Sequence, residues 1–557
     1  MPPGSAKSGP RQGERQAAGA RPSENHKGLD GARNGDVAER AERTPAPGEP
    51  DFKRERITGP KRDAADRFEP AEGKASERAA PTSGAPAEER YRRLPTGAHG
   101  LAREEVERDQ RERLQRAMME LIAERGYQAV RILDLTQLAH VSRPTFYELY
   151  SDKEALLISA YTEIAVRTGR TVLEAFGNEG DLEKRLRRSM HAFGELAAAE
   201  PQAMSLFLLG AFGAGPKALA RRKETVAALE RAIHTARDGT DTPAEDDLTV
   251  KVQLGGIREV AVARLHHAHA EELQTLADDL IAWVVCYPPM LLSGLELPTP
   301  RTDAEVAEQE ARPGCFTSER SRRVHSRLPS GRHDLPREVV VKSQRERIVD
   351  ATAEIVAEKG LAALTIPEIA SRANVSHETF YEMFPAKRDA FLEAQRTGMF
   401  GALSRGVQAW EAAMPDWPRA IEAGMRAVID YLVAEPALAH LAIVDAFGAS
   451  PETIAVRDEI LQAFATYFEP GYALAPEGHV VPASAGEAVV GGVWQVLHHY
   501  IDSGRVDELP GATAQLTYML LTPFIGAKAA KKTALSAVAE HEREQEAQPS
   551  AAGAGVG

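Results

Sequence analysis

Apolar side chains recur at helical spacing twice along the chain, in the same order and with the same surroundings. Leu114, Ala117, Met118, Leu121 and Ile122 fall at i, i+3, i+4, i+7 and i+8, and Ile348, Ala351, Thr352, Ile355 and Val356 repeat that spacing 234 positions later. Each set predicts an amphipathic helix of about four turns. Gly126 and Gly360 follow directly, and glycine there predicts a left-handed stop, where a Cβ would be penalised. In the second copy Thr365, Ile366, Pro367 and Glu368 form a capping box that opens a short helix through Ala373. A turn at Asn374 and Val375 then leads to Ser376, a good cap for a further helix. The first copy places its turn at His140 and Val141 and its cap at Ser142, but has Arg131 where the second has Thr365. Its short helix is therefore predicted to be less well capped, by roughly 1 kcal/mol.

The repetition extends over the whole chain. VSRPTFY (141–147) returns as VSHETFY (375–381), AEPQAMSLFLLGAFGAGP (199–216) as AEPALAHLAIVDAFGASP (434–451), and GGIREV from 255 as GGVWQV from 491. The offset grows from 234 to 236 through two single-residue slips, so a complete unit of about two hundred residues was duplicated. Apolar helical stretches at roughly 155–175, 182–199, 201–237 and 248–293 have counterparts from 389 to 526. Residues 1–92, rich in Gly, Pro, Ala, Ser, Arg and Glu, read as a disordered tail. Residues 93–170 and 327–400 read as two DNA-binding domains, 171–297 and 401–527 as two larger helical domains, and 298–326 as a linker. Residues 528–557 read as a tail, a short helical extension that frays.

Within each copy a long helix, a short helix, a turn and a second short helix make a helix-turn-helix, whose last helix fits a major groove. Phe146, Leu149 and Tyr150, like Phe380, Met383 and Phe384, follow i, i+3, i+4 and are predicted core. Arg143, Thr145 and Tyr147, or His377, Thr379 and Tyr381, remain on the exposed end for phosphates, thymine methyls and, through Arg143, guanine. Lys153 and Lys387 suit phosphates as point charges.

These residues, V-S-x-x-T-F-Y-x-x-[FY]-x-x-K after a long helix ending in Gly, resemble the DNA-binding domain of the TetR family of bacterial transcriptional regulators. The resemblance implies an all-α fold. Each unit would have three N-terminal helices on an operator in double-stranded DNA, and a larger C-terminal domain that binds a small effector and dimerises through its last two long helices. It carries DNA contact onto Thr145, Tyr147, Lys153, Thr379, Tyr381 and Lys387. The capping residues Ser142, Thr365 and Ser376 and the variable Arg143 and His377 complete the candidate site. Leu149 and Met383 depart from a histidine often found in the family. With two units in one chain, the dimer interface can form internally, as a pseudo-dimer; whether chains pair further stays open.

Charge and chemistry narrow the picture. The formal charge is −14, and residues 101–155 hold 9 basic against 11 acidic side chains, so no bulk attraction announces nucleic acid. Arginines 90, 92 and 93, and 320, 322, 323, 327 and 332, precede the two motifs as minor-groove arms or as solvated linker charge. Cys286 and Cys315 lack a zinc spacing, and no cofactor or metal is expected, the histidines 266, 267, 269, 498 and 499 having no fitting partners. Apolar segments long enough to span a membrane are absent from the sequence, and a cytoplasmic location is expected. Without a nucleophile-base set or phosphate-cradling loop, no enzyme is predicted. Phe193, Phe207 and Phe212, and Trp410, Trp417, Tyr431 and Phe447, are candidates for an effector pocket or for plain core. The expected function is an effector-responsive repressor reading an asymmetric operator. The alternative is a small-molecule or protein-interaction module with one or both DNA motifs inactive.

Overall fold

The computed structural model describes Tyr91 and residues 102–547, except 178, 211–214, 239–246, 267–268, 289–293, 296, 298–299, 311, 313–314, 325–334 and 446–450. All regular structure among the described residues is helical, as the 3.6-residue periodicity predicts. In the first copy α1 (Arg103–Ala129), α2 (Ile132–Leu138) and α3 (Arg143–Leu149) build the helix-turn-helix domain. Leu114, Ala117, Met118 and Phe146 close its core. Gly126 breaks α1 with φ 74°, the left-handed stop that the sequence asks for. The domain then joins α4 (Lys153–Phe176), α5 (Leu182–Ala199), α6 (Pro201–Ser205), α7 (Pro216–Asp238), α8 (Asp247–His266) and α9 (Glu272–Val284).

Two linker helices follow, α10 (Asp303–Glu310) and α11 (Glu319–Val324). The second copy repeats the plan. Its DNA-binding part is α12 (Arg337–Lys359), α13 (Ile366–Ala373) and α14 (His377–Met383). Its larger part is α15 (Lys387–Ala413), α16 (Trp417–Ala434), α17 (Pro436–His440), α18 (Pro451–Thr466), α19 (Glu469–Ala473), α20 (Ala485–Asp502) and α21 (Leu509–Ile525).

The equivalent helices α8 and α20 cross at paired glycines. A Cβ on Gly255 would lie 3.0 Å from the carbonyl oxygen of Gly491, and one on Gly491 would lie 3.2 Å from that of Gly255. Beside them, a Cβ on Gly256 would stand 2.6 Å from the Ala488 oxygen and one on Gly492 2.6 Å from the Val252 oxygen. Val252 and Ala488 are themselves equivalent at the 236 offset. Each contact thus occurs twice with the partners exchanged, the mark of a self-complementary crossing. Around it Val252, Val260, Leu280 and Trp283 share one core with Val489, Val493, Leu516 and Tyr518. Polar ties reinforce the junction: the Asp279 carboxylate accepts the Ala483 and Ser484 amides, each at 2.7 Å, at the start of α20, and Tyr287 Oη donates to the Met519 carbonyl at 3.1 Å.

The two ends of the second copy are held more tightly than the sequence suggests. Residues 528–547, the helical start of the tail, lie in α22 (Ala527–Ala547), and Ala530 and Ala534 are fully buried against the shared core. Small residues at i and i+4 let that helix approach closely. The linker is no free tether either. Arg320, read as an arm or as solvated charge, pairs with buried Asp350 and with Glu435 at 3.1 Å, because an acidic pocket between α12 and α16 neutralises it. Arg327 and Arg332 lie outside the described residues, as do Arg90, Arg92, Arg93 and His267. So does the predicted disordered tail, Tyr91 excepted: that ring is buried, and its hydroxyl donates to Glu120 at 2.8 Å.

Candidate DNA interface

Both candidate recognition helices start on the serine that the sequence nominates. Ser142 Oγ accepts the Thr145 amide at 3.2 Å, and Ser376 Oγ accepts the Thr379 amide at 3.0 Å. The hydroxyl pairs Ser142–Thr145 and Ser376–Thr379 lie at 2.8 and 2.9 Å, so each threonine is oriented by its cap. The preceding turns pass through left-handed His140 (φ 52°) and Asn374 (φ 51°), residues whose short polar side chains or ring tolerate that conformation better than branched ones. Thr365 caps α13 through the Glu368 amide at 3.4 Å. Arg131 provides no such acceptor. Instead Asp134 reaches back to the Arg131 amide at 3.0 Å and pairs with its guanidinium at 2.9 Å, and these hydrogen bonds hold the Asp134 carboxyl down to about 2. The first short helix therefore keeps half of a capping box.

The two faces separate as predicted. Phe146 and Phe380 are fully buried, whereas Tyr147 and Tyr381 are 51% and 57% exposed, each set edge-on against the phenylalanine before it. A large aromatic ring left in solvent on a short capped helix, beside exposed Arg143 or His377, is no part of the core. The helices differ in charge. Exposed Arg143 and Glu148 balance on α3, while α14 presents exposed Glu378 and Glu382.

The sequence assigned Lys153 and Lys387 to phosphates, and the structure gives both ammoniums an inward task. Lys153 Nζ donates to the carbonyls of Tyr127 and Val130 at 2.9 and 2.8 Å and sits 4.0 Å from the Tyr127 ring centroid; burial lowers its pKa. Lys387 Nζ donates to the Leu364 carbonyl at 2.7 Å. Carbonyls that follow the glycine stops and keep spare acceptor capacity attract these lysines. A second pair went unread. Arg113 on α1 donates to the carbonyls of Ala139 and His140 at 2.6 and 3.2 Å, and Arg347 on α12 to those of Ala373 and Asn374 at 3.1 and 3.2 Å. Each clamps the turn that aims its recognition helix. The repeated triplet Arg-Glu-Arg at 111–113 and 345–347 was the available signal.

The candidate pocket residues disperse. Trp410 lines an apolar cavity of about 120 Å³ in the second copy, walled also by Gly406, Gly424, Val428, Ala442 and Trp494. Trp417 lies in the core with its Nε1 on the Tyr467 carbonyl at 2.9 Å. Tyr431 turns away, donating its hydroxyl to the Thr397 carbonyl at 3.3 Å, and burial pushes that phenol up to about 12. Phe193 and Phe207 are packed in the first copy's core, and Phe212 and Phe447 lie outside the described residues. No group of His, Cys, Asp and Glu among the described residues could hold a metal, and no single described helix is long and apolar enough to cross a membrane.

Two regions of the chain, residues 115–160 and 348–394, match the model of the bacterial regulatory proteins, tetR family. The chain belongs to the TetR family. Both matches end just past the lysines that follow the recognition helices, so this TetR-family chain carries two tandem units and is a DNA-binding transcription regulator. Among solved structures, a TetR family transcription regulator from Marinobacter aquaeolei VT8 is 21% identical, covering 32% of this chain and 97% of its own, with a TM-score of 0.27. No curated protein matches the chain.

Proposed function

We propose that this TetR-family chain is an effector-responsive repressor that acts as a pseudo-dimer, reading an asymmetric operator with two non-identical recognition helices. The reciprocal crossing of Gly255 and Gly491 carries the reading, because a self-complementary junction is what two identical chains would otherwise supply. The exchange of Arg143-Pro144 for His377-Glu378 supports unequal half-sites: arginine suits guanine, and a carboxylate accepts from cytosine but repels phosphate. The apolar cavity in the second copy supports effector binding. No reaction is assigned to the chain, and its place of action is the cytoplasm.

The exposed Glu378 and Glu382 favour one second reading, in which α14 no longer binds DNA and the second copy serves as a ligand-binding module. Selection of sites from random duplex DNA with the full chain, beside Tyr147→Ala and Tyr381→Ala, separates the two. An asymmetric site weakened by both substitutions is expected. A site insensitive to Tyr381→Ala would establish the second reading, and a perfect palindrome would refute asymmetric reading.

A further inference from the structure

The cavity belongs to one copy by construction. Its walls in the second copy use small residues where the first copy has large ones at the equivalent positions: Gly398 for Ile164, Gly406 for Val172, Val428 for Phe193 and Ala442 for Phe207. In the first copy that space is accounted for. Ile164 is buried, Phe207 packs against the Tyr161 ring with centroids 5.8 Å apart, and Ser189, replacing Gly424, donates to the Val172 carbonyl at 3.0 Å. Trp410 likewise has Phe176 as its equivalent. Trp410 Nε1 is buried without a hydrogen-bond partner among the described residues, a costly state for an N–H donor beside an otherwise apolar cavity. Phe176 brings no such donor.

We infer that the chain binds one effector molecule, not two: an uncharged apolar compound with a single hydrogen-bond acceptor, held in the second copy's cavity with its acceptor on Trp410 Nε1, while the first copy's side chains fill the equivalent space. An apolar cavity of this order stays dry and takes up a single-ring hydrocarbon, as one of roughly 150 Å³ does with benzene. The acceptor is what the indole N–H adds. A charged ligand is excluded by the absence of any charged side chain in the cavity wall. The inference rests on the effector-responsive reading, and it makes the two halves unequal in regulation as well as in DNA contact.

The test is calorimetric titration of the full chain, without DNA, with acetophenone and with ethylbenzene, which has a similar shape but no acceptor. One site per chain is expected for both. Trp410→Phe should weaken acetophenone about fivefold and leave ethylbenzene unchanged. Ala442→Phe, and independently Val428→Phe, each restoring the first copy's residue, should abolish uptake of both while the circular dichroism of the chain is retained. If one of the two misfolds, the other and Trp410→Phe still decide. Two sites per chain, uptake that survives both filling variants, equal loss of the two probes in Trp410→Phe, or no uptake by the unaltered chain would each overturn the inference. Because DNA is absent, failure here leaves the operator selection untouched, and failure there leaves the stoichiometry untouched.

Discussion

Arg457 in the second copy places its guanidinium on the carboxylate of Glu259 in the first, with both side chains buried. The positions equivalent to them are Arg222 and Gln495, so the carboxylate is present on one side of the crossing only. Removing one member of a buried pair costs up to about 3–5 kcal/mol, and Asp458, which also pairs with Arg457 at 2.5 Å, offsets part of that loss. Glu259→Gln should therefore lower the urea midpoint of the full chain substantially, whereas Gln495→Ala, which removes no charge, should lower it far less. Equal effects would mean that the pair adds nothing beyond packing.

Arg347 touches no recognition residue, yet it should matter to DNA binding. Arg347→Met removes the donor for two turn carbonyls and should cost about 1–3 kcal/mol. It should also weaken operator binding at temperatures where the chain remains folded, because α14 loses its aim. Binding and thermal unfolding measured together test this: full affinity in a destabilised variant would limit the clamp to stability.

For Lys153 the two assignments give opposite results. With its ammonium on the Tyr127 and Val130 carbonyls, Lys153→Met should reduce stability by about 1–2 kcal/mol and leave the salt dependence of DNA binding unchanged. A salt slope smaller by about 1 would place the lysine on phosphate after all.

His498 sets a pH dependence at the junction. Burial holds its pKa well below the ordinary histidine value, and Arg222, Arg258, Lys223 and His440 around it act in the same direction. Below the ordinary histidine value the unfolded chain protonates this ring, while the folded chain holds it neutral. The stability it contributes is therefore present above the unfolded value of about 6.5 and is lost as pH falls below it. Urea unfolding between pH 7.5 and 5 should show declining stability, and His498→Gln should flatten that decline. An unchanged slope in the variant would assign the acid sensitivity to carboxylates.

Much of this architecture was legible before any coordinates. Serine caps, glycine stops and the aromatic i, i+3, i+4 sets are local signals, governed by a few neighbouring backbone groups, and Ser142, Gly360 and Phe380 behave accordingly. What was missed depends on distant partners. Lys153 reads as a free cation until the carbonyls 23 and 26 residues earlier are brought beneath it. Arg320 reads as linker charge until Asp350 and Glu435 fold around it. The cavity was half visible, since Trp410 was named for it. Its other determinants are the small residues Gly406 and Ala442, which carry no aromatic signal.

In an assembly of two identical chains a single codon change alters both sides at once, and any asymmetry is forbidden by inheritance. The crossing of Gly255 with Gly491 removes that restriction, since its two sides are encoded separately. Arg143 can change without His377, and Phe207 without Ala442. The duplicated chain thus holds the two sides of one joint as independently heritable halves, one with its space filled and the other with a cavity.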